Sequence, residues 1–281
     1  MRTVTGTESW LPKTIQEARK FPQNIIYDFP GSMVVNPVPG IILKCSPFSN
    51  LLEELVGMRY AREYLSLPVP KILHHPAFPR NRYRNRAYGD KCSVWYICME
   101  QCPGTSLESV IDTMTPEQLD HVAEQLKAIL SRMAHDKPKS LGSVSGGAYL
   151  NFLFPGYVTP KRAFSTVGEF NDHIRWMLEL FCTEAFIESF MCRLPRNAAV
   201  RFTHGDLLPK NIMVDGSTIT GIIDWELSGF YPEYWEYARM YDPMFMTPAW
   251  ADLLRRIFSN PRRETEIRVV RDFLNIVDLT F

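Results

Sequence analysis

An α+β fold in two unequal parts is what this sequence predicts, from one change of texture along the chain and one motif that contains a turn. Through the first hundred residues, short β-rich runs alternate with Pro and Gly; beyond about residue 104 the pattern becomes long amphipathic helical periods. Within that second half, Thr203 to Asp224 reads THGDLLPKNIMVDGSTITGIID, two β-branched runs joined by a turn at Asp215-Gly216. At 281 residues, 46% apolar and 12% aromatic, the chain can bury one large core or two modest ones.

The runs IIYDF (25–29), MVVN (33–36), GIILKC (40–45) and VWYICME (94–100) read as antiparallel strands. One helix interrupts them. Asn50 with Glu53 three residues on reads as its capping box, Leu51, Leu52, Leu55, Met58 and Leu65 recur at near-helical intervals, and PVP at 68–70 stops it. The periodicity switches at Cys102 to Gly104, where a strand run meets a Pro-Gly pair, so the sequence divides into residues 1–102 and 103–281, with the first twenty or so as an extension. Past the boundary, Thr115 caps a helix, Pro116 takes its first position, Gln118 closes the box, and Leu119, Val122, Leu126, Ile129, Leu130 and Met133 form its apolar face. Further helical periods cover about 169–190, 233–241, 248–258 and 262–277.

Composition excludes several functions. Thirty-one basic residues balance thirty-one acidic ones, so no net field recruits nucleic acid or an anionic membrane. Arg80, Arg82, Arg84 and Arg86 alternate, but in a connecting stretch where a solvated loop is the expected state. The start of the chain lacks a signal-peptide apolar stretch of about 7–15 residues, and no segment approaches the roughly 18 apolar residues of a membrane span. The expected location is the cytoplasm. Six cysteines occur without a C-x-x-C pair and read as reduced, core-filling thiols.

The chemistry is concentrated between Asp206 and Asp224. Folding the chain back at Asp215-Gly216 returns Asp224 to the side of Asn211, and three oxygen-bearing groups then meet. Magnesium takes oxygen ligands from one or two carboxylates plus substrate phosphates. Asn211 and Asp224 suit that duty, which leaves Asp206 to accept a proton from an incoming hydroxyl. This order of Asp, Asn five residues on, and strand-borne Asp is that of phosphoryl transfer.

In detail the chain resembles the aminoglycoside phosphotransferase family. SLPVPKIL, YICMEQCPGTSLE, FTHGDLLPKNIMVD and ITGIIDWELSGFYPEYWEYA look like that family in order, across roughly Ile25 to Ala238. The resemblance implies a protein-kinase-like two-lobed fold, with a small antiparallel-sheet N-lobe carrying one helix and a larger, mainly helical C-lobe. It further implies an ATP- and Mg2+-dependent transfer of the γ-phosphoryl group to a hydroxyl of a small molecule, with Asp206 as the catalytic residue. Lys44 in GIILKCS would hold the nucleotide phosphates, with Glu54 rather than Glu53 bracing it, and Met99, Glu100 and Cys102 would lie in the hinge that receives the base. For His204 the resemblance implies a structural role in place of a general base. Glu226 has a weak claim on metal or acceptor. Glu233, Trp235 and Glu236 read as bracing more than as an acceptor pocket. Trp176, Glu179, Glu226 and Trp235 would suit a cationic or amphipathic acceptor.

Three departures temper this. Only Gly31 and Ser32, among Pro30, Pro37 and Pro39, stand where a glycine-rich phosphate flap is expected. Leu208 takes the place where protein kinases carry a lysine that neutralises the transferring group; small-molecule kinases of this fold commonly lack it too, which leaves that charge mainly to the metal and Lys44. Gly205 replaces the arginine that reads a phosphorylated activation loop, and the interval from Asp224 to Pro232 is too short for such a loop. The degenerate turn at Gly31 makes a non-catalytic nucleotide-binding module of the same fold the alternative; a protein kinase, weakened by Gly205, and a metal-dependent hydrolase stand behind it.

Overall fold

The structure, a computed structural model, describes residues 24–29, 32–46, 48–75, 95–136, 138–258 and 261–280. The alternating arginines at 80–86, the turn at Gly31, Cys92 and the first twenty residues lie outside them. The chain divides into two compact units, one of residues 1–52 with 70–102 and one of 53–69 with 103–281.

In the first unit, β1 (Ile25–Phe29), β2 (Ser32–Val38), β3 (Ile41–Ser46), β4 (Ile72–His74) and β5 (Trp95–Glu100) form one antiparallel sheet in the order β1-β2-β3-β5-β4. Strand alternation puts Met33, Val35, Leu43, Cys45 and Cys98 into one apolar cluster. Lys44, between two members of that cluster, points to the other face, level with Val34 and Ile97. Helix α1 (Phe48–Arg59) starts two residues before the expected Asn50 opening and continues through one π-helical turn, Tyr60–Tyr64, to a left-handed Ser66.

The second unit carries a three-stranded sheet, with β6 (Thr105–Ser106), β8 (Ile212–Asp215) and β9 (Thr218–Ile222) in the order β6-β8-β9, and a two-stranded pair of β7 (Val200–Thr203) with β10 (Gly229–Pro232). Its helices are α2 (Leu107–Val110), α3 (Pro116–His135), α4 (Val167–Glu179), α5 (Glu184–Met191), α6 (Tyr234–Met240), α7 (Pro248–Ile257) and α8 (Glu264–Thr280). The capping box at Thr115 and Gln118 forms as the sequence predicts, and the α3 face is buried except at the half-buried Leu130. The period at 169–190 resolves into α4 and α5. Their break falls where Leu180 and Phe181 turn out to solvent.

An aromatic core built on Tyr149, Phe154, Phe170, Tyr231, Trp235 and Phe273 fills this unit. Trp235 is 1% exposed and packs edge-on against Phe170, so it braces the core and cannot line an acceptor pocket. Trp176 and Glu179 lie at the surface, Glu179 on Arg175 at 3.2 Å. Among the described residues no helix is long and apolar enough to cross a membrane.

Candidate active site

Residues 203–211 leave β7 and run to the start of β8. Gly205 makes the turn, with φ +85°, and a Cβ there would stand 2.8 Å from the Leu227 carbonyl oxygen and 2.9 Å from its Cβ. The position next to Asp206 therefore has no room for a side chain, which is the physical reason that no arginine stands there. Leu208 is 1% exposed, so this position also turns into the core.

Backbone polar groups of a buried loop need partners, and three side chains supply them. His204, fully buried, accepts from the Asp206 amide at Nδ1 (3.1 Å) and donates from Nε2 to the Ile223 carbonyl (2.9 Å). The accepting Nδ1 requires the neutral tautomer with its proton on Nε2, and burial pushes the ring below the ordinary histidine range. With both nitrogens engaged on backbone, His204 has none left for a hydroxyl. Glu236 of α6 accepts at Oε2 from the amides of His204 and Gly205. Burial pushes its carboxyl up to about 7, against the opposing pull of those amides and of Arg239. Arg239, one turn along α6, donates from Nε to the Gly205 carbonyl (2.8 Å) and from an Nη to Asp206 Oδ1 (2.7 Å).

Asp206 is thus held from several sides. Its Oδ2 receives the Asn211 amide at 2.9 Å and the Lys210 ammonium at 2.9 Å. Asn211 Nδ2 also donates to the Asp206 carbonyl at 2.9 Å. Both partners of that nitrogen can only accept, which settles the orientation of the amide and turns Oδ1 into its remaining ligand atom.

The hairpin closes as the turn at Asp215-Gly216 predicts. Ile212 pairs with Ile222, and the Ile223 amide donates to the Asn211 carbonyl at 3.0 Å, so Asp224 follows directly beside Asn211. Asp224 adopts a left-handed backbone, φ 67° and ψ 61°, uncommon for a residue with a side chain. Trp225 behind it is fully buried, stacked on Phe202 and edge-on to His204.

Glu54, 1% exposed, is no solvated helix charge: it comes within 4.8 Å of Asp224 and Glu226, ligand atom to ligand atom. Gly57, one turn further along α1, allows this approach, because a Cβ there would strike the Ser228 hydroxyl at 1.9 Å. Glu53 is buried too but turns to the Ser143 hydroxyl, which donates to it at 2.9 Å. Among the described residues these three carboxylates are the group with metal-holding geometry.

In the sheet unit, Lys44 is 9% exposed, far from a solvated strand charge. Along Met99 to Cys102, the Glu100 amide is engaged by the Lys71 carbonyl (2.9 Å) and the Gln101 amide by the Gly40 carbonyl (3.0 Å). Sequence reasoning missed Arg239 and Lys210 as partners of Asp206. It also missed the convergence of Glu54 with Glu226. For Lys210 the signal was present, since four residues after Asp206 is contact distance in a tight turn.

Comparison with known proteins decides the family. Residues 41–272 match the phosphotransferase enzyme family. The chain belongs to that family. It is a phosphotransferase with an alcohol group as acceptor, and its fold is the protein-kinase-like α+β fold. A thermostable mutant of aminoglycoside phosphotransferase APH(4)-Ia in its apo form is similar at 15% identity and a TM-score of 0.60, over 92% of this chain and 88% of that one. The same protein's ternary complex with AMP-PNP and hygromycin B matches at 15% identity and 0.59, over 90% and 85%. The GDP and kanamycin complex of a second phosphotransferase, APH(2")-IIIa, matches at 12% and 0.59, over 94% and 89%. A search of the curated proteins finds no match.

Proposed function

We propose that this phosphotransferase moves the γ-phosphoryl group of ATP to a hydroxyl of a small molecule in the cytoplasm, with magnesium. One observation carries this reading: Asp206 and Asn211 are locked together at 2.9 Å while the returning hairpin delivers Asp224 beside them. The similar structures hold AMP-PNP with hygromycin B, or GDP with kanamycin, which supports a nucleotide and a hydroxylated acceptor.

The residues fit magnesium. Asn211 Oδ1 and the Asp224 carboxylate are hard oxygen donors, and Glu54 and Glu226 add carboxylates within reach of Asp224. Asn211 and Asp224 would hold the ion, which when bound offsets the charge of the nucleotide phosphates. Asp206 takes the hydroxyl proton as the acceptor oxygen attacks. Arg239 and Asn211 keep its carboxylate in place, so little reorganisation is needed during the step. Lys44 serves the nucleotide phosphates, Glu54 braces Lys44, and Met99, Glu100 and Cys102 serve the base.

The test is direct. ATP with magnesium raises the melting temperature of the wild type by mass action, and slow release of ADP accompanies it. Asp206→Asn keeps the melting shift and loses turnover by about 10²–10⁴-fold. Binding without any turnover, in the wild type as in the variant, would instead support a non-catalytic module.

A further inference from the structure

Leu208 occupies the place from which a protein kinase directs a lysine at the transferring group, yet the fold restores a cation at the same carboxylate from another position. Lys210 sits on the short 3-10 turn Pro209–Asn211, between the proposed proton acceptor and the proposed metal ligand. Its ammonium lies 2.9 Å from Asp206 Oδ2 and 5.3 Å from the centre of the Phe245 ring, whose face favours a cation. We infer that Lys210 is a catalytic residue that donates to the γ-phosphoryl group during transfer. This rests on the kinase reading given above.

Three observations carry it. First, Asp206 does not need Lys210 for its orientation: Arg239 holds Oδ1 and Asn211 holds Oδ2. Secondly, Arg239 is sealed in, its side chain 11% exposed, whereas that of Lys210 is 39% exposed and can reach an incoming anion. An ammonium has three donors, and the contact with Asp206 uses one of them. Thirdly, Lys210 is bound to the same carboxylate that takes the acceptor's proton. Two partners of one carboxylate stand within about 4–6 Å of each other, which places the ammonium near the acceptor oxygen where the phosphoryl group arrives. In the step, the acceptor oxygen bonds to the γ-phosphorus and the bond from that phosphorus to the β,γ-bridging oxygen breaks. ADP leaves, and the hydroxyl proton passes to Asp206. Lys210 keeps its protons and donates one hydrogen bond to an oxygen of the phosphoryl group as charge redistributes.

The experiment compares wild type, Asp206→Asn, Lys210→Arg, Lys210→Gln and Lys210→Met in ADP release from ATP with magnesium, alongside ATP-dependent melting. The expected result for Lys210→Met is a fall in kcat of about 100-fold or more, with the KM for ATP within about threefold of wild type. Lys210→Arg recovers to within about tenfold of wild type, because it retains the charge. Lys210→Gln separates charge from orientation, since its amide can still donate to Asp206 without carrying charge; it is expected to stay as slow as Lys210→Met. A Lys210→Gln enzyme with wild-type turnover would reduce Lys210 to a positioning residue and overturn the inference. So would a Lys210→Met enzyme that keeps its kcat while Asp206→Asn has lost it. Should the wild type neither bind nor turn over ATP, the kinase reading fails and this inference falls with it.

Discussion

A loop and a hairpin of this protein exchange their usual characters. The β1–β2 hairpin is paired secondary structure with one irregularity between Ile25 and Tyr27, yet Ile26 is 60% and Tyr27 51% exposed. The segment from Thr203 to Leu208 has no helix or strand beyond its first residue, and every residue in it is buried. Connecting segments ordinarily run over the surface because buried backbone polar groups need partners. This one is buried because α6 and the loop itself provide those partners: Glu236 takes two amides, Arg239 a carbonyl and the 206 carboxylate, His204 an amide and a carbonyl. Pairing within this hairpin needs only neighbours along the chain, whereas burying the loop around the Asp206 carboxylate takes side chains from more than thirty residues away. The Asp206 side chain is thereby fixed by partners on both of its oxygens.

Breaking the loop should cost most at its turn. Gly205→Ala forces a side chain into a left-handed conformation against the backbone of Leu227, and we expect a loss of about 3 kcal/mol in urea unfolding. A loss below about 1 kcal/mol would mean that the loop gives way easily, against the contrast drawn here.

Glu236→Gln probes the same support through pH. The carboxyl rises from 4.5 to about 7 on folding, so the folded state holds the proton more tightly and stability falls as pH rises through that window. His204 acts oppositely. Its ring is held below 6.5 by burial, so its contribution is lost as pH falls through that value. Removing the carboxyl should take away the downward slope between about 4.5 and 7, so that variant and wild-type curves diverge by up to about 3 kcal/mol across the window. Parallel wild-type and variant curves, measured by urea unfolding at successive pH values, would show that Glu236 does not titrate there.

Arg239→Met removes two hydrogen bonds to the loop, one of them to the Asp206 carboxylate. A stability loss of about 2 kcal/mol is expected, together with a lower kcat and an ATP melting shift of wild-type size. At the other end of the scale, Ile26→Thr on the open hairpin should change stability by no more than about 0.5 kcal/mol. A large loss there would show that this strand face is covered by something else.

Local pattern made much of this legible. Strands β1, β2, β3 and β5 were readable because alternation and Pro-Gly punctuation are properties of neighbours in sequence. The α3 capping box formed because Thr115 and Gln118 are three residues apart. The helix start at Phe48 in place of Asn50, and the division of 169–190 into two helices, were not readable to the residue, since helix ends answer to packing as much as to propensity. Trp235 reads from its motif as bracing more than as an acceptor contact, and the packing of Phe170, Tyr231 and Phe273 around it identifies the core it braces.

By itself the sequence determined the family and the local frame of the site: a carboxylate and an amide five positions apart, and a turn that must bring Asp224 back to Asn211. Those are consequences of covalent connectivity and short-range geometry. Tertiary structure alone decided what surrounds that frame, namely the Arg239 contact on Asp206, the Glu236 carboxyl behind the loop and the meeting of Glu54 with Asp224 and Glu226. These groups stand between about thirty and 170 residues apart in sequence. Nothing in their spacing prescribes contact; they meet because burying the apolar faces of α1 and α6 carries their polar side chains inward with them.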